Sequence, residues 1–246
     1  MSGLSTPAAI RTALRHVVSQ TGEGLWLVGG SALAGFYANH RRSDDLDLFA
    51  LDLVAFQSAQ RAARSLNNVG AELVRERASP TYYHADILFQ HHSFTLDIVL
   101  DENLKRVGRA IQTASGVWVA DLKTLFAMKA ACLVSRCSEK DLFDLDWIFQ
   151  KVGLIDVESF VKAGVEIDGG LTVETLLFSL KDTNLRKEAC HFLLPQSPLS
   201  VDQAYQRIKQ LQQGLIQSLR DYEKKHSPPP EADALAQAVK DQKKRK

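Results

Sequence analysis

The spacing of hydrophobic and polar positions changes about halfway along this 246-residue chain. Within residues 45–50, 82–90 and 93–100, apolar side chains recur at every second position, which predicts β-strands with one buried face. From residue 121 to about residue 223, apolar side chains recur every three to four positions, which predicts helices. The sequence therefore predicts an α+β fold, in which a small mixed sheet is followed by a helical C-terminal domain.

The first half of the pattern resolves into alternating elements. We predict helices over 7–20, 31–39 and 52–66, strands over 25–28, 45–50, 71–77, 82–90 and 93–100, and a short edge strand over 117–119. The strands 82–90 and 93–100 are close enough in sequence to form a hairpin around His91 and His92. In the second half, residues 122–134 and 139–152 read as amphipathic helices. We expect three units: 1–119, 120–226, and a flexible tail over 227–246 that contains Pro228–Pro230 and a basic terminus.

Composition narrows the class of protein. The net charge is +1, so the chain lacks a global basic surface for nucleic acid, and any such surface must be local. We see no apolar run long enough to cross a bilayer and no secretion signal, and we expect a cytoplasmic protein without membrane contact. The three cysteines are not paired in a CxxC pattern, which argues against a disulfide framework or a zinc site.

The candidate chemistry lies between residues 25 and 48. An apolar strand runs into Gly29, Gly30 and Ser31, where a glycine turn and a helix N-terminus would let backbone N–H groups approach a phosphate. Asp45 and Asp47 then alternate with leucines. Two carboxylates at positions i and i+2 of a strand project from the same face, where they can share divalent cations such as Mg²⁺ or Mn²⁺.

This stretch resembles the nucleotidyltransferase superfamily typified by DNA polymerase beta, whose fingerprint is a glycine pair followed by two spaced aspartates. Arg41-x-Ser43-x-Asp45-Leu46-Asp47 is similar, more narrowly, to the AbiEii/AbiGii toxins of type IV toxin–antitoxin systems. The resemblance implies metal-dependent transfer of an NMP from an NTP to an acceptor hydroxyl, on an RNA such as tRNA or on a protein. It also implies a cognate antitoxin, and nucleotide-binding roles for Gly29, Gly30, Ser31, Arg41 and Ser43.

Members of the superfamily carry a third carboxylate on a neighbouring strand. Asp97 is the leading candidate, because it is an acidic residue in an otherwise apolar strand, where an unpaired charge would be costly. Asp86 is the alternative. The resemblance implies that the third carboxylate completes the metal set with Asp45 and Asp47 and helps to remove the proton of the acceptor hydroxyl.

A second matching segment lies in the helical half. By resemblance, Lys129 and Asp144 would lie on facing helices beside the nucleotide, and Lys129 and Arg136 would meet the triphosphate. Lys129 also has an alternative interpretation as a surface lysine. Asp141 lies three residues after Ser138, which is close to a capping box, and it is left out of the candidate set.

Three further interpretations remain open from the sequence. We take His84, His91 and His92 as surface histidines. A polynucleotide acceptor would need local positive charge, for which Lys105, Arg106 and Arg109 are candidates. An antibiotic-modifying nucleotidyltransferase and a nucleotide-binding regulatory protein without turnover are the rival functions.

Overall fold

A computed structural model describes residues 5–153 and 156–226, and its centre is a seven-stranded mixed sheet. The strand order is β3-β4-β5-β2-β1-β7-β6. The pairs β2–β5 and β1–β7 are parallel, and the other neighbours are antiparallel. The strands are β1 (Leu25–Leu27), β2 (Asp45–Ala50), β3 (Glu72–Ala78), β4 (Tyr82–Phe89), β5 (His92–Leu100), β6 (Ala110–Gln112) and β7 (Trp118–Ala120).

Helices connect and follow these strands. Helix α2 is a single turn that continues as a π-helical segment over Leu33–Ala38 and ends at Asn39, whose φ is 47°. The helices are α1 (Ala8–Val18), α2 (Gly29–Ala32), α3 (Leu53–Arg64), α4 (Leu104–Val107), α5 (Leu122–Ser135), α6 (Glu139–Val152), α7 (Val157–Ile167), α8 (Val173–Asp182) and α9 (Val201–His226).

One face of the sheet is covered and the other is open over β4 and β3. Along β4, Tyr83, Ala85, Ile87 and Phe89 are buried, whereas the alternate residues are half-buried or exposed. On the covered face, the guanidinium of Arg64 on α3 lies 5.5 Å from the centre of the Tyr83 ring. The period of two therefore creates both the core layer and an open polar surface.

Helix α5 is the central helix of the C-terminal half. It begins where the Asp121 side chain accepts a hydrogen bond from the Thr124 N–H at 2.8 Å. It packs against α6, α7 and α8, so side chains on nearly all its sides are buried. The prediction that this helix is amphipathic was wrong, because a helix surrounded by other helices has no solvent face to supply a polar stripe.

The predicted architecture, a mixed sheet followed by helices, is confirmed, and three details differ. The helix predicted from residue 31 starts at Gly29. Strand β7 is not an edge strand, since β6 pairs outside it. The hairpin turn lies at Gln90 and His91, both with positive φ, one position earlier than predicted. The division at residue 119 stays a prediction, and 227–246 lies outside the described residues. No described helix is long and apolar enough to cross a membrane.

Candidate active site

A row of polar side chains crosses the sheet at right angles to the strands. In the parallel β2–β5 pair, Asp47 lies opposite Asp97, and in the antiparallel β4–β5 pair, His84 lies opposite Asp97. Side chains at opposed positions project from the same face of a sheet. Asp47, Asp97 and His84 therefore stand side by side, and Asp45 lies one pleat away on the same face.

The backbone at Gly29 fits against this row. Gly29 has a φ of 64°, and a Cβ at this position would collide with the carboxylate of Asp47. The N–H of Val28 donates to the carbonyl of Asp47 at 3.0 Å. A Cβ at Gly30 would lie 2.6 Å from Nη2 of Arg41. Glycine is thus needed at both positions because a side chain would not fit: Gly29 lies against Asp47, and Gly30 lies against Arg41.

The two predicted serine hydroxyls are directed into the protein. Ser31 and Ser43 are buried, and their Oγ atoms are 3.2 Å apart. The Ser31 hydroxyl donates to the backbone carbonyl of Asp45. The structure therefore places the Ser31 side chain in a contact that fixes the start of β2, and the phosphate contact of Ser31 stays a prediction.

The carboxylates on the open face have few cationic partners. Thr95 donates to Oδ1 of Asp45 at 3.1 Å, and Nζ of Lys140 lies 3.7 Å from Oδ2 of the same residue. Burial and the neighbouring charge of Asp45 raise the pKa of Asp47 to about 6, although Lys129 and Arg136 partly offset the rise. A nearby cation would stabilise the ionised form of such a carboxyl and lower its pKa.

The donor set fits a hard divalent cation. Asp45, Asp47 and Asp97 offer only carboxylate oxygens, which Mg²⁺ prefers. Oδ1 of Asp97 accepts hydrogen bonds from the Tyr82 hydroxyl at 2.5 Å and from Nδ1 of His84 at 2.8 Å. Within the described residues, no three acidic, His or Cys side chains already enclose one point. Mg²⁺ typically takes one or two protein carboxylates and completes its shell with phosphate and water.

A second charged cluster, centred on Asp144 of α6, is buried behind the open face. Asp144 accepts two hydrogen bonds from Arg41, at 2.7 Å and 2.8 Å, and one from Nε2 of His40 at 2.8 Å. Nζ of Lys129 lies 2.8 Å from the same carboxylate. Burial alone would raise the pKa of Asp144, but Arg41 and Lys129 outweigh it and hold the pKa well below its ordinary value.

This cluster answers two questions about the helical residues. Lys129 is only 5% exposed, so it is not a surface lysine, and burial, which would lower its pKa, is outweighed by Asp144 and Asp141. Asp141 forms an ion pair with Nζ of Lys129 at 2.7 Å. Its backbone N–H also donates to the Ser138 hydroxyl, which caps α6. Asp141 therefore does more than cap α6, and its exclusion from the candidate site residues stays a prediction.

Arg41 and Arg136 lie in different surroundings, and their nucleotide contacts stay predictions. The Arg41 guanidinium is held by Asp144 and not by the Asp45/Asp47 pair, so it joins the acidic strand to α6. Helix α5 ends at Ser135, and Arg136 adopts an extended backbone. Its side chain is 70% exposed, with Nε 3.6 Å from Asp141. Arg136 thus lies just beyond the end of the helix that carries Lys129.

The structure brings to these clusters four residues to which the sequence analysis gave no site role, among them His84, which it took as a surface histidine. Nδ1 of His84 contacts Asp97, and its Nε2 lies 3.3 Å from Asp86. Asp86 is on β4, one strand further from Asp47 than Asp97 is. Tyr82 shares that face, His40 contacts Asp144, and Lys140 approaches Asp45. The alternation Tyr82-x-His84-x-Asp86 was the available signal, since it marks a polar strand face that continues the acidic row.

Comparison with known proteins shows the family of the chain. The family model described as "Nucleotidyl transferase AbiEii toxin, Type IV TA system" matches residues 12–237. An uncharacterised protein of Aquifex aeolicus (strain VF5) is 29% identical over 174 residues, which covers 68% of this chain and 80% of that protein. MenT4, a nucleotidyltransferase toxin from Mycobacterium tuberculosis H37Rv, shares the fold with a TM-score of 0.55 and 17% identity, over 87% of each chain. The chain belongs to the AbiEii nucleotidyltransferase toxin family of type IV toxin–antitoxin systems.

Proposed function

We propose that this nucleotidyltransferase is metal-dependent and moves an NMP from an NTP to a hydroxyl of an RNA acceptor. The acceptor oxygen attacks the α-phosphorus, the bond from that phosphorus to the bridging oxygen breaks, and pyrophosphate leaves with its electron pair. The observation that carries the proposal is the alignment of Asp47 with Asp97 beside Asp45, where Nζ of Lys140 is 3.7 Å from the Asp45 carboxylate.

Asp45, Asp47 and Asp97 would hold Mg²⁺ or Mn²⁺ in this site. When bound, the cations supply charge neutralisation at the phosphate oxygens and lower the pKa of the attacking hydroxyl. Asp97 is placed to accept the proton of that hydroxyl, because it adjoins Asp47 and its other contacts come from Tyr82 and His84 on the next strand. The hydrogen bonds from Tyr82 and His84 keep its carboxylate in this orientation.

The start of α6 and the end of α5 would form the triphosphate side of the cleft. Arg136 is 70% exposed and the side chain of Lys140 is 44% exposed, so both can reach a ligand near Asp45. Lys129 is held between Asp141 and Asp144, from where its charge acts on Asp47. Asp144 is completely buried and acts as a positioning residue for Lys129 and Arg41.

The family implies control by a partner protein. The matched family is one of toxins in two-component systems, so we propose that a cognate antitoxin restrains the activity of this chain. An antitoxin that lowered the amount of labelled acceptor without changing the stability of the enzyme would support this part of the proposal.

The experiment is a transfer assay with the full chain. The protein is incubated with each α-³²P-labelled NTP in turn, with deacylated tRNA, total RNA, total protein or kanamycin as acceptor, with Mg²⁺ or with EDTA. We expect Mg²⁺-dependent label on RNA, its loss in Asp45→Asn, and its retention in Arg220→Gln, an exposed control on α9. Label on kanamycin alone would favour an antibiotic-modifying enzyme, and no transfer to any acceptor would contradict the proposal.

A further inference from the structure

The open face of the sheet continues from the acidic row to the edge strand β3. The register of β3 with β4 places Arg77 opposite His84 and Arg75 opposite Asp86. One row therefore reads Asp47, Asp97, His84 and Arg77, and the next reads Asp45, Thr95, Asp86 and Arg75. Each row begins at a candidate metal ligand and ends at an arginine on the edge of the sheet. Neighbouring strands are about 4.8 Å apart, so each row spans about 14 Å.

This face is accessible and carries aromatic rings. Arg75 and Arg77 are exposed, and neither forms an ion pair with any residue that the structure describes. Tyr82 is 41% exposed, and its ring stacks on that of His84 at a centroid distance of 6.4 Å. Stacking surfaces beside arginines are typical of sites for single-stranded nucleic acid, because every base has a π-face and every nucleotide has a phosphate.

A groove joins the edge strand to the candidate metal site. A cavity of about 430 Å³ is lined by Asp45, Thr95, Asp86 and Val74, together with Asp44, Ile87, Ser93 and Phe94. It thus runs from β2, across β5 and β4, to β3. The cavity follows the row of Asp45, whereas Arg77, Tyr82 and His84 are not part of its lining.

We propose that a single-stranded end of the acceptor RNA lies across this face, with its phosphates on Arg75 and Arg77 and its bases against Tyr82 and His84. The terminal hydroxyl then lies at Asp97, where the proposed transfer takes place, so this inference rests on the proposed function. Asp86 is placed to accept a hydrogen bond from a ribose 2′-hydroxyl, a contact that DNA cannot make.

Charge complementarity favours RNA over a protein acceptor on this face. The positive charge lies at the edge, where phosphates would arrive, and the negative charge lies where cations would bind. A polypeptide that added a strand to β3 would engage its backbone edge and leave the arginines and the Tyr82 ring on the open face unused.

The test is steady-state transfer to deacylated tRNA by the Arg75→Gln/Arg77→Gln double variant. We expect the KM for tRNA to rise at least tenfold, with kcat and the KM for NTP within twofold of the original protein. The dependence of log KM on log salt concentration should weaken by about one per arginine removed, because each phosphate contact releases counterions. Arg61→Gln/Arg220→Gln, at exposed positions of α3 and α9, removes the same two charges elsewhere and should leave the KM for tRNA unchanged.

The outcomes separate this surface from the proposed function. An unchanged KM for tRNA in the double variant, with transfer intact, would overturn the surface and leave the function standing. A rise caused instead by Lys105→Gln/Arg109→Gln would overturn it too, since those residues surround a different cavity beside α5. Label on protein and not on RNA would also overturn it. Absence of any transfer by the original protein would contradict the proposed function itself. The thermal unfolding midpoint of each variant reports whether it is folded.

Discussion

The two groups of aspartates in this protein contrast in how their charges are balanced. Asp141 and Asp144 are buried and surrounded by Lys129, Arg41 and His40, with contacts of 2.7 to 2.8 Å. Asp45, Asp47 and Asp97 lie on the open face, where the nearest lysine contact is 3.7 Å. Both groups lie within one fold and next to each other, since Lys129 and Arg136 still act on Asp47.

This difference suggests two roles: the buried aspartates stabilise the fold, and the open-face aspartates bind a cation. A buried carboxylate with several cations is stabilised only while all its partners remain. A carboxylate whose pKa is raised by its neighbours is destabilised when ionised, and a bound cation relieves that. We therefore expect substitutions in the first group to change stability, and substitutions in the second group to change activity.

The substitutions with the largest expected effect are Asp47→Asn and Asp45→Asn. Each should reduce transfer by several orders of magnitude, because metal stabilisation of phosphoryl transfer supplies several kcal/mol. Asp47→Asn should not lower the free energy of unfolding, since burial and the charge of Asp45 disfavour the ionised carboxylate of Asp47. Single-turnover transfer and urea unfolding measure the two quantities. Near-original transfer, or a large loss of stability, would contradict the assignment.

Asp144→Asn should cause a large loss of stability. Removing one partner of a buried ion cluster leaves Arg41 and Lys129 uncompensated, which costs about 3–5 kcal/mol of unfolding free energy. Urea unfolding monitored by circular dichroism measures this cost. Asp182→Asn, at an exposed position of α8, is the control, and we expect a change within about 0.5 kcal/mol there. Equal stabilities for the two variants would show that the buried cluster is not structural.

His40 should make the buried cluster sensitive to pH. Burial lowers the pKa of His40 in the folded protein, although Asp144 acts in the opposite direction. The unfolded chain therefore takes up a proton below about pH 6.5 that the folded chain does not. Stability should fall as the pH drops, by at most about 1.4 kcal/mol per pH unit. His40→Gln should remove this part of the slope, whereas His191→Gln at an exposed position should not. If the unfolding free energy changed equally with pH in all three proteins, the role of His40 would be refuted.

The smallest expected effect on stability belongs to Lys140→Gln. The Lys140–Asp45 pair is about half exposed, and such pairs contribute roughly 0–1 kcal/mol. If Lys140 meets the triphosphate, the KM for NTP should rise severalfold with little change in unfolding free energy. An unchanged KM would remove Lys140 from the site and leave the carboxylates untouched.

The sequence could predict features that depend on local periodicity. Asp45 and Asp47 follow from an i, i+2 pattern, and Asp97 follows from a charge in an apolar strand. It could not predict the partners that depend on packing between distant segments, such as Arg41 with Asp144, which are 103 positions apart. The hairpin shows how sensitive such inferences are. A turn at Gln90 and His91 pairs Asp97 with His84, whereas a turn one position later would have paired it with Asp86.

Other misses have equally physical causes. Asp141 looked like a capping residue because a cap is a local signal, and its second contact comes from another helix. Strand β6 is three residues long and exposed at Ile111, so it lacks the apolar alternation that identifies a strand.

The most direct test of the central claim measures Mn²⁺ binding in the presence of a nonhydrolysable NTP. The readout is the decrease of the free-Mn²⁺ signal in electron paramagnetic resonance. The account predicts that the original protein and His191→Gln bind Mn²⁺ equally and that Asp47→Asn binds it at least tenfold more weakly while remaining folded. Equal Mn²⁺ affinity in the original protein and Asp47→Asn would show that the open-face carboxylates do not hold the cation, and would contradict the account.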